Sequence, residues 1–186
     1  MCFAITKDNQ AGGTLQAVSV KRDEPRSGCA INAAIEVIGD RWSLIVLRDI
    51  MFGDRRHFRE LQRNNEEGIA SNILASRLRD LVDHGLLTCD DPGPGRTVTY
   101  SLAEPAIELV PVLAELGWWG LRHRPTTDAL RVRAQLLYEG GRPMWEYFMA
   151  ELRTRHLDAP PADPDSPSVT ERLNRAAAES ARAEGR

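Results

Sequence analysis

The chain has 186 residues, 42% of them hydrophobic and 27% charged, and a formal net charge of −3. That length buries a real core in one domain with appendages, and the composition is that of an ordinary soluble globular protein. The slight acidity excludes a generally basic polyanion binder, so any nucleic-acid role has to rest on local patches of charge.

No apolar run approaches the roughly 20 residues of a membrane span, and the start "MCFAITKDNQAGG" lacks the basic and apolar regions of a signal peptide. A cytoplasmic location without a membrane partner is expected. Cys2, Cys29 and Cys89 are scattered, with no CxxC and no histidine at metal-ligand spacing, so the sequence predicts reduced thiols, no metal site and no cofactor.

In chain order, residues 1–28 read as a flexible N-terminal arm with one short strand at "TLQAVSV". "CAINAAIEVIG" predicts a short helix with Ile31, Ala34, Ile35 and Ile38 on one face, stopped by Gly39, after which Asp40 caps the next helix. That helix, "RWSLIVLRDIMFG", is apolar around much of its circumference and belongs in the middle of the fold, ending at Gly53. Arg48 within it is expected to pair with a nearby carboxylate. "HFRELQRN" gives a third helix with Phe58 and Leu61 three apart, and "NEEG" supplies turn residues.

"GIASNILASRLRDLVDHGLL" then carries Ile73, Leu74, Leu78, Leu81 and Val82 on one helical stripe, with Ser71 as N-cap and Gly85 as stop. "LLTCD" and "RTVTYSL" flank "DPGPG" as two strands with a Pro/Gly loop. A long helix, "AIELVPVLAELGWWGLRHR", is expected to kink at Pro111. "DALRVRAQLLYEG" and "PMWEYFMAELRTRHL" read as two further helices separated by Gly140 and Gly141. "DAPPADPDSP" has linker composition, and "SVTE" opens a polar helix with few large apolar residues, expected to fray.

Helix, helix, helix, hairpin, helix is the order of a winged helix-turn-helix. The expected fold class is mainly α (α+β), with a two-stranded wing and additional C-terminal helices for dimerisation. Its parts are the arm (1–28), the winged helix-turn-helix (29–125), a C-terminal helical extension for dimer or effector contacts (126–157), and a Pro-rich linker with polar tail (158–186).

Opposite the leucine stripe lie Asn72, Ala75, Ser76, Arg79 and Asp83. Short side chains let a helix approach closely, and a major groove about 12 Å wide admits one, with Asn suited to adenine and Arg to guanine. The same residues also fit a capped, solvated helix. Context favours the groove: Arg55, Arg56, Arg59 and Arg63 gather at the preceding helix, where phosphate contacts belong, and Arg96 stands near the hairpin tip. Glu66, Glu67, Asp90 and Asp91 lie nearby and would lower non-specific affinity.

These separated blocks, "VIGDRWSLIVLRDIMFGDRRHFRELQR", "GIASNILASRLRDLVDHGLL" and "RTVTYSLAE", with the cysteine ahead of them, resemble the HxlR-type transcriptional regulators, a bacterial winged helix-turn-helix family similar to the MarR regulators. The resemblance covers about Cys29 to Arg124. It implies a homodimeric, sequence-specific DNA-binding regulator with Ser71, Asn72 and Ser76 at the start of the recognition helix, Arg77 and Arg79 further along it, and Arg96 on the wing. It also makes Cys29 a candidate redox sensor, because a thiol near a helix N-terminus is suitably placed for activation, with a small buried structural thiol as the commoner alternative.

The expected function is a homodimeric repressor on a palindromic duplex operator, answering a small-molecule or redox signal. A winged helix acting purely in protein–protein contacts is the alternative. His57, His84, His123 and His156 are dispersed and no catalytic motif stands out, so no enzyme is expected.

Overall fold

The computed structural model describes residues 26–90, 92, 93, 95–161 and 167–184. The strand expected in the arm lies outside the described residues. In chain order come α1 (Ala30–Ile38), α2 (Ser43–Gly53), α3 (Phe58–Arg63), α4 (Ser71–Asp83), β1 (Leu87–Asp90), β2 (Thr99–Leu102), α5 (Glu104–Ile107), α6 (Val110–His123), α7 (Asp128–Leu157) and α8 (Val169–Glu184). This is the winged helix-turn-helix arrangement with C-terminal helices added, as the element order predicts.

Asp40 starts α2. Its carboxylate accepts the amides of Trp42 at 2.7 Å and Ser43 at 3.1 Å and also the Ser43 hydroxyl. Burial works against the charged form, but those donors and Arg77 outweigh it and hold the carboxyl below its ordinary value. Past Gly53 the chain leaves the helix through Asp54, which adopts a left-handed φ of 47° and donates its amide to Ile50.

The core is shared by α2, α4 and the wing. Val46, Leu47, Ile50 and Met51 lie in one cluster with Leu74, Leu78, Leu81, Leu87 and Leu102, all essentially buried. Ile73, expected in that stripe, is instead 36% exposed, because it sits one helical step round from Leu74. β1 and β2 pair antiparallel from Leu87–Leu102 to Asp90–Thr99, which sends Leu87 and Leu102 inward together. Two strands alone are marginal, and here the helices cover one face.

Three further expectations are corrected. Ser71 does not cap α4: the cap is Ala70, without a side-chain hydrogen bond, and Ser71 is the first helical residue. Pro111 does not kink a continuous helix. The chain breaks between Ile107 and Val110, and Pro111 falls in the first turn of α6, where its missing N–H leaves no bond unmade. Cys89 on β1 is disulfide-bonded rather than reduced.

α7 breaks at Gly141, whose φ of 60° and ψ of −161° divide it into two helical stretches close to the expected glycine pair. Its second half packs on the core through Phe148 and Leu152, with Phe148 stacked on Phe52 at 5.1 Å. α8, where the sequence suggests fraying, lies along α7 with Val169, Leu173 and Ala177 buried. Those residues fall four apart on one face. Glu151 of α7 anchors the helix start by accepting the Ser168 hydroxyl at 3.0 Å and the Val169 amide at 2.8 Å.

Candidate nucleic-acid interface

The first turn of α3 holds Glu60, whose carboxylate accepts the amides of Arg56 at 3.2 Å and His57 at 3.1 Å. A carboxylate there satisfies otherwise orphaned N–H groups and suits the positive end of the helix. Leu61 is buried beneath, so α3 is fixed against α4.

The turn from α3 to α4 is fastened to α2. Asp49, almost fully buried, accepts from Arg48 at 2.7 Å and from the Asn65 amide nitrogen at 3.2 Å, and faces Arg55 at 3.4 Å. The Asn65 side-chain oxygen in turn accepts the Ile69 amide at 2.9 Å. Arg48 forks onto Glu67 at 2.6 and 2.9 Å. Burial opposes the Arg48 charge, but Glu67 and Asp49 overcome it and raise its pKa above the usual arginine value, while Arg48 chiefly lowers that of Glu67. Arg48 is therefore structural, as the sequence suggests. Asp49, Asn65 and Glu67 were not legible as its partners, although a lone Asp in an otherwise apolar helix is a signal for a buried ion pair.

The wing is fastened too. Arg56 accepts the Tyr100 amide at its own carbonyl at 2.8 Å, and its guanidinium donates to the Tyr100 carbonyl at 3.3 Å and to the Ser101 hydroxyl. His57 Nδ1 lies 3.1 Å from the Val98 carbonyl. From the other side His156 of α7 accepts the Leu102 amide at 3.4 Å through Nδ1. Burial, then the Arg56 and Arg155 charges, push the His156 pKa down to about 4. Its Nε2 is buried without a partner.

The arginines singled out from sequence divide into two groups. Arg55 donates to the Asn64 carbonyl at 2.5 Å, Arg56 holds β2, and Arg77 bridges Asp80 at 2.6 Å and Asp40 at 3.3 Å. Arg59 on α3, Arg79 on α4 and Arg96 in the wing loop are exposed, and their side chains have no hydrogen-bond or ion-pair partner among the described residues. Ser71 and Asn72 are exposed at the start of α4, and Ser76 is half-buried, 3.5 Å from an Arg77 nitrogen. Asn72, Ser76 and Arg79 share one side of α4, directed away from Leu74, Leu78 and Leu81.

Apart from this surface, Cys29 is an exposed free thiol in the N-cap position of α1. α1 leaves Ile31 and Ile35 more than half exposed, and α6 leaves Val112, Leu116 and Trp119 about half exposed. Among the described residues no helix is long and apolar enough to cross a membrane.

A short helix, a fastened turn, a second helix with a polar outward face and a pinned two-stranded wing define a winged helix-turn-helix of the DNA-binding class. The model for the HxlR-like helix-turn-helix family matches residues 37–128. An uncharacterized HTH-type transcriptional regulator of Halalkalibacterium halodurans is 30% identical over 91 residues, covering 48% of this chain and 80% of that protein. Another, from Mycobacterium tuberculosis, is 37% identical over 105 residues, covering 54% of this chain and 63% of its own length. A crystal structure of PA1607, described as a candidate transcription factor, is 34% identical with a TM-score of 0.49, covering 55% of this chain and 70% of that one. The chain belongs to the HxlR-like helix-turn-helix family.

Proposed function

We propose that this protein binds duplex DNA as a homodimer and represses transcription by occupying its operator. The observation that carries the reading is the outward face of α4. Asn72 and Arg79 stand exposed there without side-chain partners among the described residues, flanked by Arg59 on α3 and Arg96 in the wing loop, which likewise have none among those residues. Solvated helix faces gain little from short polar residues, whereas a groove-reading helix needs them to approach the base edges.

In this reading Asn72, Ser76 and Arg79 read bases, Ser71 contacts the backbone at the helix start, Arg59 holds phosphate, and Arg96 anchors the wing. Arg55 and Arg56 keep donors to spare for phosphate, but their first task is to hold the turn and the wing. Arg77 belongs to the scaffold.

The homodimer rests on the apolar stripes of α1 and α6, which a second copy would cover. A two-fold pair has to set its heads about 34 Å apart, which matches a palindromic operator. Residues 29–125 then form the reading head, 126–157 its effector-side support, and α8 a strap along α7. The exposed Cys29 thiol gives oxidants access to α1.

A salt titration tests the reading. Affinity for duplex pools should fall steeply between 50 and 200 mM salt, with about one unit of log–log slope for each phosphate contact. No duplex affinity at low salt would leave only a protein-interaction module.

A further inference from the structure

Between α2, α6 and the C-terminal helices lies a cavity of about 370 Å³. Leu44, Ile45, Phe52, Leu113, Leu137 and Leu173 supply much of its wall, so it is largely apolar. At the cavity's edge α6 passes close to α7, where a Cβ at Gly117 would stand in ordinary contact with the Ala134 Cβ at 3.5 Å. Leu137 and Leu173 come from segments that follow the family-matched residues 37–128.

The polar groups of the wall are unequal. On the α2 side Asp49 is already engaged by Arg48, Asn65 and Arg55, so its carboxylate asks for nothing more. On the α7 side one terminal nitrogen of Arg133 donates to Asn174 at 2.9 Å, but its Nε is buried and has no acceptor among the described residues. A buried guanidinium N–H without an acceptor is an unmet demand for an oxygen, best met by an anionic one.

We propose that this cavity binds a small organic carboxylate, an apolar body of about a dozen non-hydrogen atoms whose acid group pairs with the Arg133 guanidinium. An anion without an apolar body would leave the walls of α2 and α6 unfilled. A neutral apolar molecule would leave Arg133 unpaired.

The opposite wall of the same cavity is the network that fastens the turn ahead of α4. Arg48 and Asp49 line the cavity, and they hold Glu67 and Asn65, while Asn65 holds the Ile69 amide two residues before α4 begins. A ligand that displaces the α2 wall therefore displaces the turn that sets the angle of α4. The carboxylate acts as an effector of DNA binding, a conclusion that rests on the regulator reading above.

Calorimetry on the full chain with 2-naphthoate and its neutral isostere 2-naphthamide tests the site without any DNA. Naphthoate should bind one to one and at least about tenfold more tightly than the amide, the scale of one charge-assisted hydrogen bond. Arg133→Gln should erase that difference and leave amide binding within about twofold, and Ala134→Phe, which fills the cavity, should abolish both. Equal affinities for acid and amide in the unaltered protein, or naphthoate binding untouched by both variants, overturns the proposal.

Anisotropy on duplexes selected from a random pool tests the coupling. Naphthoate should shift duplex affinity about fivefold or more, and Glu67→Gln should lose the shift while binding naphthoate normally. A shift that survives Glu67→Gln, or no shift, overturns the route through the turn. Absence of duplex binding in the ligand-free protein would overturn the regulator reading and leave the calorimetric result standing.

Discussion

α4 and α7 are both amphipathic helices packed on the same core, and each pairs arginines within the fold while leaving one exposed without a partner among the described residues, Arg79 on α4 and Arg142 on α7. On α7, Arg131 pairs with Asp128 at 3.7 Å, Arg153 forks onto Glu104 at 2.9 and 3.0 Å through Nε, and Arg155 meets Glu151 at 2.7 Å. On α4, Arg77 is paired in the same manner, but Arg79, two residues on, extends outward with no partner among the described residues. The difference teaches that arginine content does not mark an interface here. Among the described residues, arginines without a partner also occur on α6, α7 and α8, such as Arg122, Arg142 and Arg175, so Arg59, Arg79 and Arg96 are singled out by their place on α3, α4 and the wing, where a polyanion would lie.

The harshest way to break the contrast is to remove the support under α4. Leu78→Ala empties a fully buried site and should lower unfolding stability by about 2–5 kcal/mol in denaturant titrations, with loss of duplex binding as a consequence. A change below about 1 kcal/mol would mean that α4 is not held by this core.

Next comes the joint between α7 and the wing. His156 is buried as the neutral imidazole, with a folded pKa near 4 against an unfolded value near 6.5. The unfolded state binds the extra proton between those values, so stability is full above about pH 6.5 and declines as the pH falls toward 4, by up to about 3 kcal/mol. His156→Phe should flatten that part of the pH profile of the melting temperature, and an unchanged slope would contradict the assignment.

Base reading should show a smaller and more selective effect. Arg79→Ala and Asn72→Ala should each reduce discrimination between preferred and altered duplexes by about 1–3 kcal/mol while leaving the melting temperature in place. Smaller still, Arg59→Ala should weaken every duplex alike and reduce the salt slope by about one. Arg56→Ala should chiefly loosen the wing, seen as faster amide exchange at Tyr100 and Ser101. If Arg56 instead carried a full unit of salt slope with no change in exchange, the division between paired and unpaired arginines would fail.

Much of this fold was legible because its signals are local. The stripe Leu74, Leu78 and Leu81, the stop at Gly85, the Asp40 carboxylate just ahead of α2 and the break at the glycine pair all lie within a few residues of what they control. The partners of the arginines were not legible. Arg56 reaches β2 forty-four residues away, and Arg77 reaches back past two helices to Asp40. Nothing in local spacing distinguishes such an arginine from Arg59 or Arg79.

α8 was misjudged for the same reason. Its composition looks too polar to hold, but its anchor is Glu151 on another helix, and small Ala177 lets it lie close to α7. The cavity between α2 and α7 likewise requires two distant segments to be brought together before the unmet Arg133 N–H can be seen.

The most direct test sets Arg77→Ala beside Arg79→Ala, two arginines of one helix, each measured for melting temperature and for discrimination between a selected duplex and its single-base variants. The predicted result is that Arg77→Ala lowers the melting temperature and keeps discrimination, while Arg79→Ala keeps the melting temperature and loses discrimination. The reverse pattern, with Arg77 setting discrimination and Arg79 silent, would contradict the account.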